Sequence, residues 1–202
     1  MLEAETPLLL PQPFKLYLVR HATPDRSRYD IPYHIPPGPN LTEQGQREAQ
    51  QLGVFLRQVG IVHILASPLE RTWRTASIAG ALAGATVEVN IDLAEHRPEE
   101  KKEQVLQRVV CAFDLGGRLS AEQGNVALVS HGSPALILLK HLGLPEEIIE
   151  RSRIYDARNL IPPAGVWEIE STPGQISLRL AFVPDGVKQP EVADAWVGAV
   201  GR

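Results

Sequence analysis

One cysteine, Cys111, stands among 202 residues, and a lone thiol excludes a framework of intrachain disulfides. Its expected place is that of a small core side chain, and with no secretion signal in view the expected compartment is a reducing cytoplasm. Long apolar runs are missing as well. Leu8-Leu9-Leu10 is flanked by Glu3, Glu5 and prolines rather than by a basic region, so residues 1–13 read as an N-terminal extension, neither signal peptide nor membrane span. Charge of one sign is not in large excess: a formal net charge of -4 argues against a bulk affinity for nucleic acid, although a local basic pocket can sit inside an acidic protein. The chain has no paired-histidine helix motif and no cluster with ligand spacing; no metal and no cofactor is expected. Repeats and low-complexity tracts are absent, and no internal boundary divides the chain.

What is there suffices for one core, since 44% of the residues are apolar and a chain of this length defaults to one domain. That domain is expected over residues 14–183, with a C-terminal tail, 184–202, that carries no strong pattern. Residues 15–19 are a compact apolar run too short for a helix, hence a buried strand, with Arg20 and His21 at its end. Residues 24–39 hold five of the 17 prolines together with Arg26, Arg28, Tyr29 and His34, which predicts an irregular loop. Loops of this length inside a domain are often functional.

Thr42 can cap a helix running to about residue 59, with Ala49, Leu52, Leu56 and Val59 on one stripe and Gly60 as a stop. A second strand is expected over 61–66. Ser67-Pro68 then reads as N-cap and first helical position of a helix to residue 83, with Arg71 in its first turn. Residues 87–91 alternate as a strand, and residues 99–113 place Leu106, Val109, Val110 and Phe113 at helical spacing with charged residues opposite. Another strand over 125–129 ends at Ser130-His131-Gly132, and Ser133-Pro134 repeats the cap-and-proline pattern before a helix to about residue 142. Strands at 166–170 and 176–182 suggest a late hairpin. This alternation predicts an α/β fold: a three-layer α/β/α sandwich with a mostly parallel sheet covered on both faces.

Ligands of open α/β sheets collect beyond the carboxyl ends of the strands, where Arg20, His21 and His131 are expected, with Arg71 one short turn away. Two arginines and two imidazoles on one rim suit a phosphoryl group, because a planar guanidinium donates two hydrogen bonds to neighbouring phosphate oxygens. The helix N-terminus near Ser133 would add backbone donors. His34, His63, His96 and His141 match no motif and are expected in structural or surface roles. Trp73, Trp167 and Trp196 are expected to pack.

These blocks taken in order carry a resemblance. Leu18-Val19-Arg20-His21-Ala22, Leu41-Thr42-Glu43-Gln44-Gly45, Ser67-Pro68-Leu69-Glu70-Arg71-Thr72 followed by Thr75-Ala76, and Val129-Ser130-His131-Gly132 resemble the histidine phosphatase superfamily, which includes the cofactor-dependent phosphoglycerate mutases. The resemblance implies a phosphoglycerate mutase-like fold and a metal-independent phosphatase acting on a small phosphorylated substrate. It implies that His21 is a nucleophile that becomes phosphorylated, and that Arg20, Arg71 and His131 bind the equatorial oxygens. A neutral imidazole is a competent nucleophile near neutral pH, and fixed cations stabilise the transferring phosphoryl. The family's proton donor lies between the second arginine and the second histidine, where Glu95 matches, with Asp92, Glu99 and Glu100 as rivals. Arg26, Arg28, Tyr29 and His34 are candidates to contact the rest of the substrate.

Two departures stand out. Ala22 replaces the family's usual glycine, and Thr23-Pro24 replaces the polar pair that often follows. The longer substrate region and the asparagine of the mutases are also missing, which ranks mutase activity below hydrolysis. A noncatalytic phosphate-binding protein of the same fold is the alternative from another class.

Overall fold

The computed structural model describes residues 12–188 and 196–199; most of the expected N-terminal extension and part of the tail lie outside the described residues. Seven strands form one sheet in the order β3-β2-β4-β1-β5-β6-β7. β1 (Phe14–Arg20), β2 (His63–Ala66), β3 (Thr86–Val89) and β4 (Val126–Ser130) pair in parallel, while β5 (Val166–Thr172), β6 (Gln175–Phe182) and β7 (Trp196–Ala199) are added antiparallel. The sheet is therefore mixed, with its parallel half carrying the strands expected to end in functional residues. α1 (Glu43–Gln58) and α2 (Glu70–Ala83) cover one face; α3 (Lys102–Gln123) and α4 (Gly132–His141) cover the other.

Alternation along β1 explains both layers. Tyr17 and Val19 join Leu52, Leu56, Ala76 and Ala79 in one buried cluster, whereas Leu16 and Leu18 join Val109, Phe113, Leu138 and Leu139 in the other. A strand buried on both faces reads as a continuous apolar run. The expected hairpin is present, turned by Pro173-Gly174 with Gly174 at φ 79. Trp167 is buried, while Trp73 and Trp196 pack partly buried against the two clusters.

Several expectations need correction. The helix expected to stop at residue 113 continues to Gln123 through Gly116 and Gly117, because a Cβ on Gly116 would come within 3.0 Å of Leu128 and 3.2 Å of Leu16. Glycine there permits close helix–sheet packing rather than ending the helix. Cys111 is exposed, not a core residue, since α3 buries Val105, Val109, Ala112 and Phe113 on the opposite stripe. A short helix, α5 (Glu146–Ser152), and β7 within the tail were not foreseen. Ser67 does not cap α2, and Ser133 does not cap α4: the N-caps are Leu69 and His131, neither with a side-chain bond. The α2 N-terminus is instead satisfied by the proline-rich loop, whose Pro37 carbonyl accepts from Glu70 N at 2.6 Å.

Thr42 caps α1 as expected, its hydroxyl accepting from Gly45 N at 2.9 Å. Gly45 itself lies against the chain just after His21: a Cβ there would collide with the Thr23 carbonyl oxygen and stand 3.1 Å from Thr23 N. Helix propensity alone would make Gly45→Ala stabilising by about 1 kcal/mol. Overpacking against backbone should reverse the sign, giving a net loss of about 1–3 kcal/mol in denaturant unfolding. An increase in stability would show that the contact is not tight.

Candidate active site

Parallel pairing aligns Arg20 with Ser130 across β1 and β4, and Ala66 with Val129 across β2 and β4. The residues that follow, His21, Ser67 and His131, therefore leave the sheet along one edge. His21 N donates to Ser130 O at 3.0 Å, and Ser67 N to Val129 O at 3.0 Å, carrying the ladder one residue further. The His21 and His131 rings come to rest 5.2 Å apart between centroids. His21 borders a cleft of about 960 Å³, lined among others by Arg20, Glu95 and Ser133.

His21 is fully buried in its surroundings, and its Nδ1 lies 2.8 Å from the Ala22 carbonyl oxygen. A carbonyl only accepts, so Nδ1 carries the proton and Nε2 keeps its lone pair. Burial, with the charges of Arg71 and Arg20 adding to it, holds the imidazole pKa well below its ordinary value. The ring is neutral at pH 7. His131 is shifted the same way, by burial first and then by Arg71 and His21. Its Nε2 is engaged 2.8 Å from Ser67 Oγ, which is where the Ser67 hydroxyl goes in place of capping α2.

Arg20, His21, Arg71 and His131, the four residues that the sequence directs at a phosphoryl group, are brought together, and three of them share a feature. Arg20 Nε, Arg71 Nε and His131 Nδ1 are all buried without a hydrogen-bond partner. Buried donors are normally paired, so these three N–H groups are left available to an anionic ligand. Arg71, 0% exposed, donates to Tyr33 O at 2.8 Å and to Glu95 Oε2 at 3.4 Å.

Glu95, 9% exposed, reaches the same spot. Its Oε2 is also 3.5 Å from His131 Nδ1, and its Oε1 accepts from His96 N at 3.0 Å. Glu100 is consumed by Arg108 at 2.9 and 3.0 Å, Glu99 is exposed, and neither of them nor Asp92 lines the cleft. Arg108 was expected on a solvated helix face. It instead donates to the carbonyls of Asp92, Ala94 and Glu95 at 2.8, 2.6 and 3.1 Å, pinning the segment that presents Glu95.

The departures from the family pattern have structural answers. Ala22 turns into the buried cluster with Ala49 and Ala76, and its N–H donates to Thr75 Oγ1 at 3.0 Å, which in turn donates to Arg71 O at 2.6 Å. Thr23 is clasped by the buried Glu48 through its N–H and hydroxyl at 2.8 and 2.9 Å. The methyl at 22 is thus accommodated in the core.

Of the loop candidates, Arg26, Arg28, Tyr29 and His34 all line the mouth. Tyr29 is 96% exposed and Arg28 is spent on Asp30 at 2.7 Å. Tyr33 was overlooked: its ring lies under the Arg71 guanidinium at 4.1 Å and under Arg26 at 4.6 Å. His96 is also not a bystander, since Nδ1 accepts from Ser133 Oγ at 3.1 Å and Nε2 donates to Glu100 O at 3.0 Å, tying the Glu95 segment to α4. Arg153, Arg158 and Asn159, between α5 and β5, complete the wall. A sequence signal existed for these, as Arg153, Asp156 and Arg158 form a charged run in the connection between α5 and β5. Nothing local marked Tyr33 or Arg108.

Among the described residues, no three or more His, Cys, Asp or Glu converge where they could hold a metal ion, and no helix is long and apolar enough to cross a membrane. The family model of the histidine phosphatase superfamily, branch 1, matches residues 16–98. Over 148 residues the chain is 30% identical to a probable phosphoglycerate mutase GpmB of Erwinia tasmaniensis, covering 56% of this chain and 68% of that protein. Among solved structures, a phosphoglycerate mutase from Bacillus anthracis superposes with a TM-score of 0.65 at 17% identity, covering 81% of this chain and 90% of the other. A mycobacterial glucosyl-3-phosphoglycerate phosphatase gives a TM-score of 0.59 at 19% identity over 79% and 91% of the two chains. At such identities the structural likeness speaks for the fold.

Proposed function

Because the chain belongs to the histidine phosphatase superfamily, we propose that it hydrolyses a small phosphate monoester through a phosphohistidine on His21. The observation that carries this reading is the neutral His21 with Nδ1 bonded to Ala22 O, facing a ring of buried donors without partners. His21 Nε2 attacks phosphorus, the bond from phosphorus to the ester oxygen breaks, and the departing oxygen takes a proton from the Glu95 carboxyl. Glu95, now ionised, accepts a proton from water, whose oxygen attacks phosphorus and releases His21. Arg20, Arg71 and His131 stabilise the charge on the equatorial oxygens in both steps. No metal and no organic cofactor takes part, and the expected setting is the cytoplasm.

Hydrolysis ranks above mutase transfer because the chain carries neither the longer substrate region nor the asparagine of the mutases.

The direct test is turnover of nitrophenyl phosphate and a panel of alkyl phosphates by purified protein after prolonged chelation. The rate is expected to be unchanged by chelator and inhibited by orthovanadate, which adopts the trigonal geometry of the transferring group. Loss of turnover on chelation with recovery on adding a divalent metal would contradict the proposal.

A further inference from the structure

The two phosphate-directed arginines do not have the same support. Arg71 rests on a carbonyl and on Glu95, but Arg20 is gripped by a carboxylate that has no part in the reaction above. Arg20 Nη1 donates to Asp156 Oδ1 at 2.7 Å and to Ile161 O at 3.0 Å, and Nη2 donates to Asp156 Oδ2 at 2.8 Å. We propose that Asp156 is a positioning residue for the phosphoryl site: it occupies the end-on edge of Arg20 and so presents the Nε edge to the substrate.

A guanidinium carries five N–H bonds in a rigid fork, and the three contacts above use three of them. The two that remain are Nε–H, buried and without a partner, and the second hydrogen of Nη2. They lie on one edge and form a second fork, spaced for two oxygens of one phosphoryl. The carboxylate and the phosphoryl thus bind different edges and do not compete. Rotation of the guanidinium about its stem, which would otherwise cost alignment at each turnover, is removed beforehand.

The carboxylate is itself fixed. Asp156 begins a single 3-10 turn, Asp156–Arg158, whose carbonyl accepts from Asn159 Nδ2 at 2.9 Å. Asn159 presses on the start of α4, where any Cβ at Gly132 would collide with its side chain. At its far end the segment is laced to the strand that bears the nucleophile, Ala164 N donating to His21 O and Arg20 N to Gly165 O, both at 3.2 Å. Two residues with side chains, Arg158 at φ 54 and Ala164 at φ 55, hold left-handed conformations in this stretch. Such conformations are costly and persist where the surroundings over-determine them, often at functional sites.

Asp156 also faces Arg26 Nη2 at 3.7 Å, and Arg26 stacks on Tyr33, which underlies Arg71. One chain of contacts therefore joins the backs of both arginines around the mouth. Burial alone would raise the Asp156 pKa, but the hydrogen bonds and charge of Arg20 outweigh it and lower it, so the grip stays ionised at neutral pH.

This inference rests on the phosphohistidine reading, and its test separates the two. Asp156→Asn keeps the volume, removes the charge and breaks the fork at a side chain that is 45% exposed. Vanadate affinity and kcat/KM for nitrophenyl phosphate are each expected to fall roughly a hundredfold, the scale of a small misplacement in a preorganised site, with little change in melting temperature. In an Arg20→Lys background, where no fork can form, the same substitution is expected to add almost nothing. Unchanged or tighter vanadate binding in Asp156→Asn would overturn the proposal, the tighter case meaning that the carboxylate competes for Arg20. Full additivity with Arg20→Lys would overturn it as well. Failure of the underlying reading looks different: the unsubstituted protein would form no phosphohistidine, whatever occupies position 156.

Discussion

His21→Ala is expected to lose turnover by at least about ten-thousandfold, the order seen when a covalent nucleophile is removed from a preorganised site, and to lose phosphoenzyme completely. The size follows from the absence of a substitute. His131 is the neighbouring imidazole, 5.2 Å away between ring centroids, and its Nε2 is 2.8 Å from Ser67 Oγ, whose hydroxyl has no other acceptor among the described residues and so donates to it. Nδ1 then carries the proton and cannot attack. Folding should survive, because the bond made by the His21 ring is to the carbonyl of its own neighbour, Ala22. Residual activity above about a hundredth of the original in a folded His21→Ala protein, beyond any single-residue nucleophile loss, would mean that another group attacks phosphorus.

The second large effect depends on the leaving group. An alkyl alkoxide departs poorly without a proton, whereas a nitrophenolate departs well, so removal of a general acid penalises the first far more. Glu95→Gln is expected to slow an alkyl phosphate by about a hundred- to ten-thousandfold and the nitrophenyl ester much less. Vanadate binding should remain, since the amide can still occupy the space beside Arg71 Nη2 and His131 Nδ1 at 3.4 and 3.5 Å. Parallel substitution of Glu100 should instead disturb Arg108 and with it the whole segment, affecting both esters alike. Equal losses on both esters in Glu95→Gln, with phosphorylation rate-limiting, would remove Glu95 as the proton donor and leave His21 in place.

The parts of this account legible in the sequence are those with a local cause. Buried parallel strands read as apolar runs, and functional residues at strand ends read as polar residues directly after them; Arg20, His21 and His131 were placed by that rule alone. Thr42 announced its cap because the capping bond spans three residues. What was not legible depends on partners distant in the chain. Ser67-Pro68 has the composition of a helix start, but a bond to His131, 64 residues away, claims the hydroxyl. Gly116 carries α3 past Leu128 of β4 and Leu16 of β1, a contact that the local sequence does not record. Tyr33, Arg108 and Asp156 act on residues 38, between 13 and 16, and 136 positions away. No periodicity records such pairings.

The central claim is a covalent phosphohistidine on His21, and rapid quenching of the unsubstituted protein with phosphate-labelled substrate tests it most directly. A burst of labelled protein is expected, its label labile to acid and stable to base, mapping to the peptide that contains His21 and missing from His21→Ala. Label that is instead lost in alkali, as from an acyl phosphate on an aspartate or glutamate, would contradict it, as would turnover with no trapped phosphoprotein under conditions where dephosphorylation is rate-limiting.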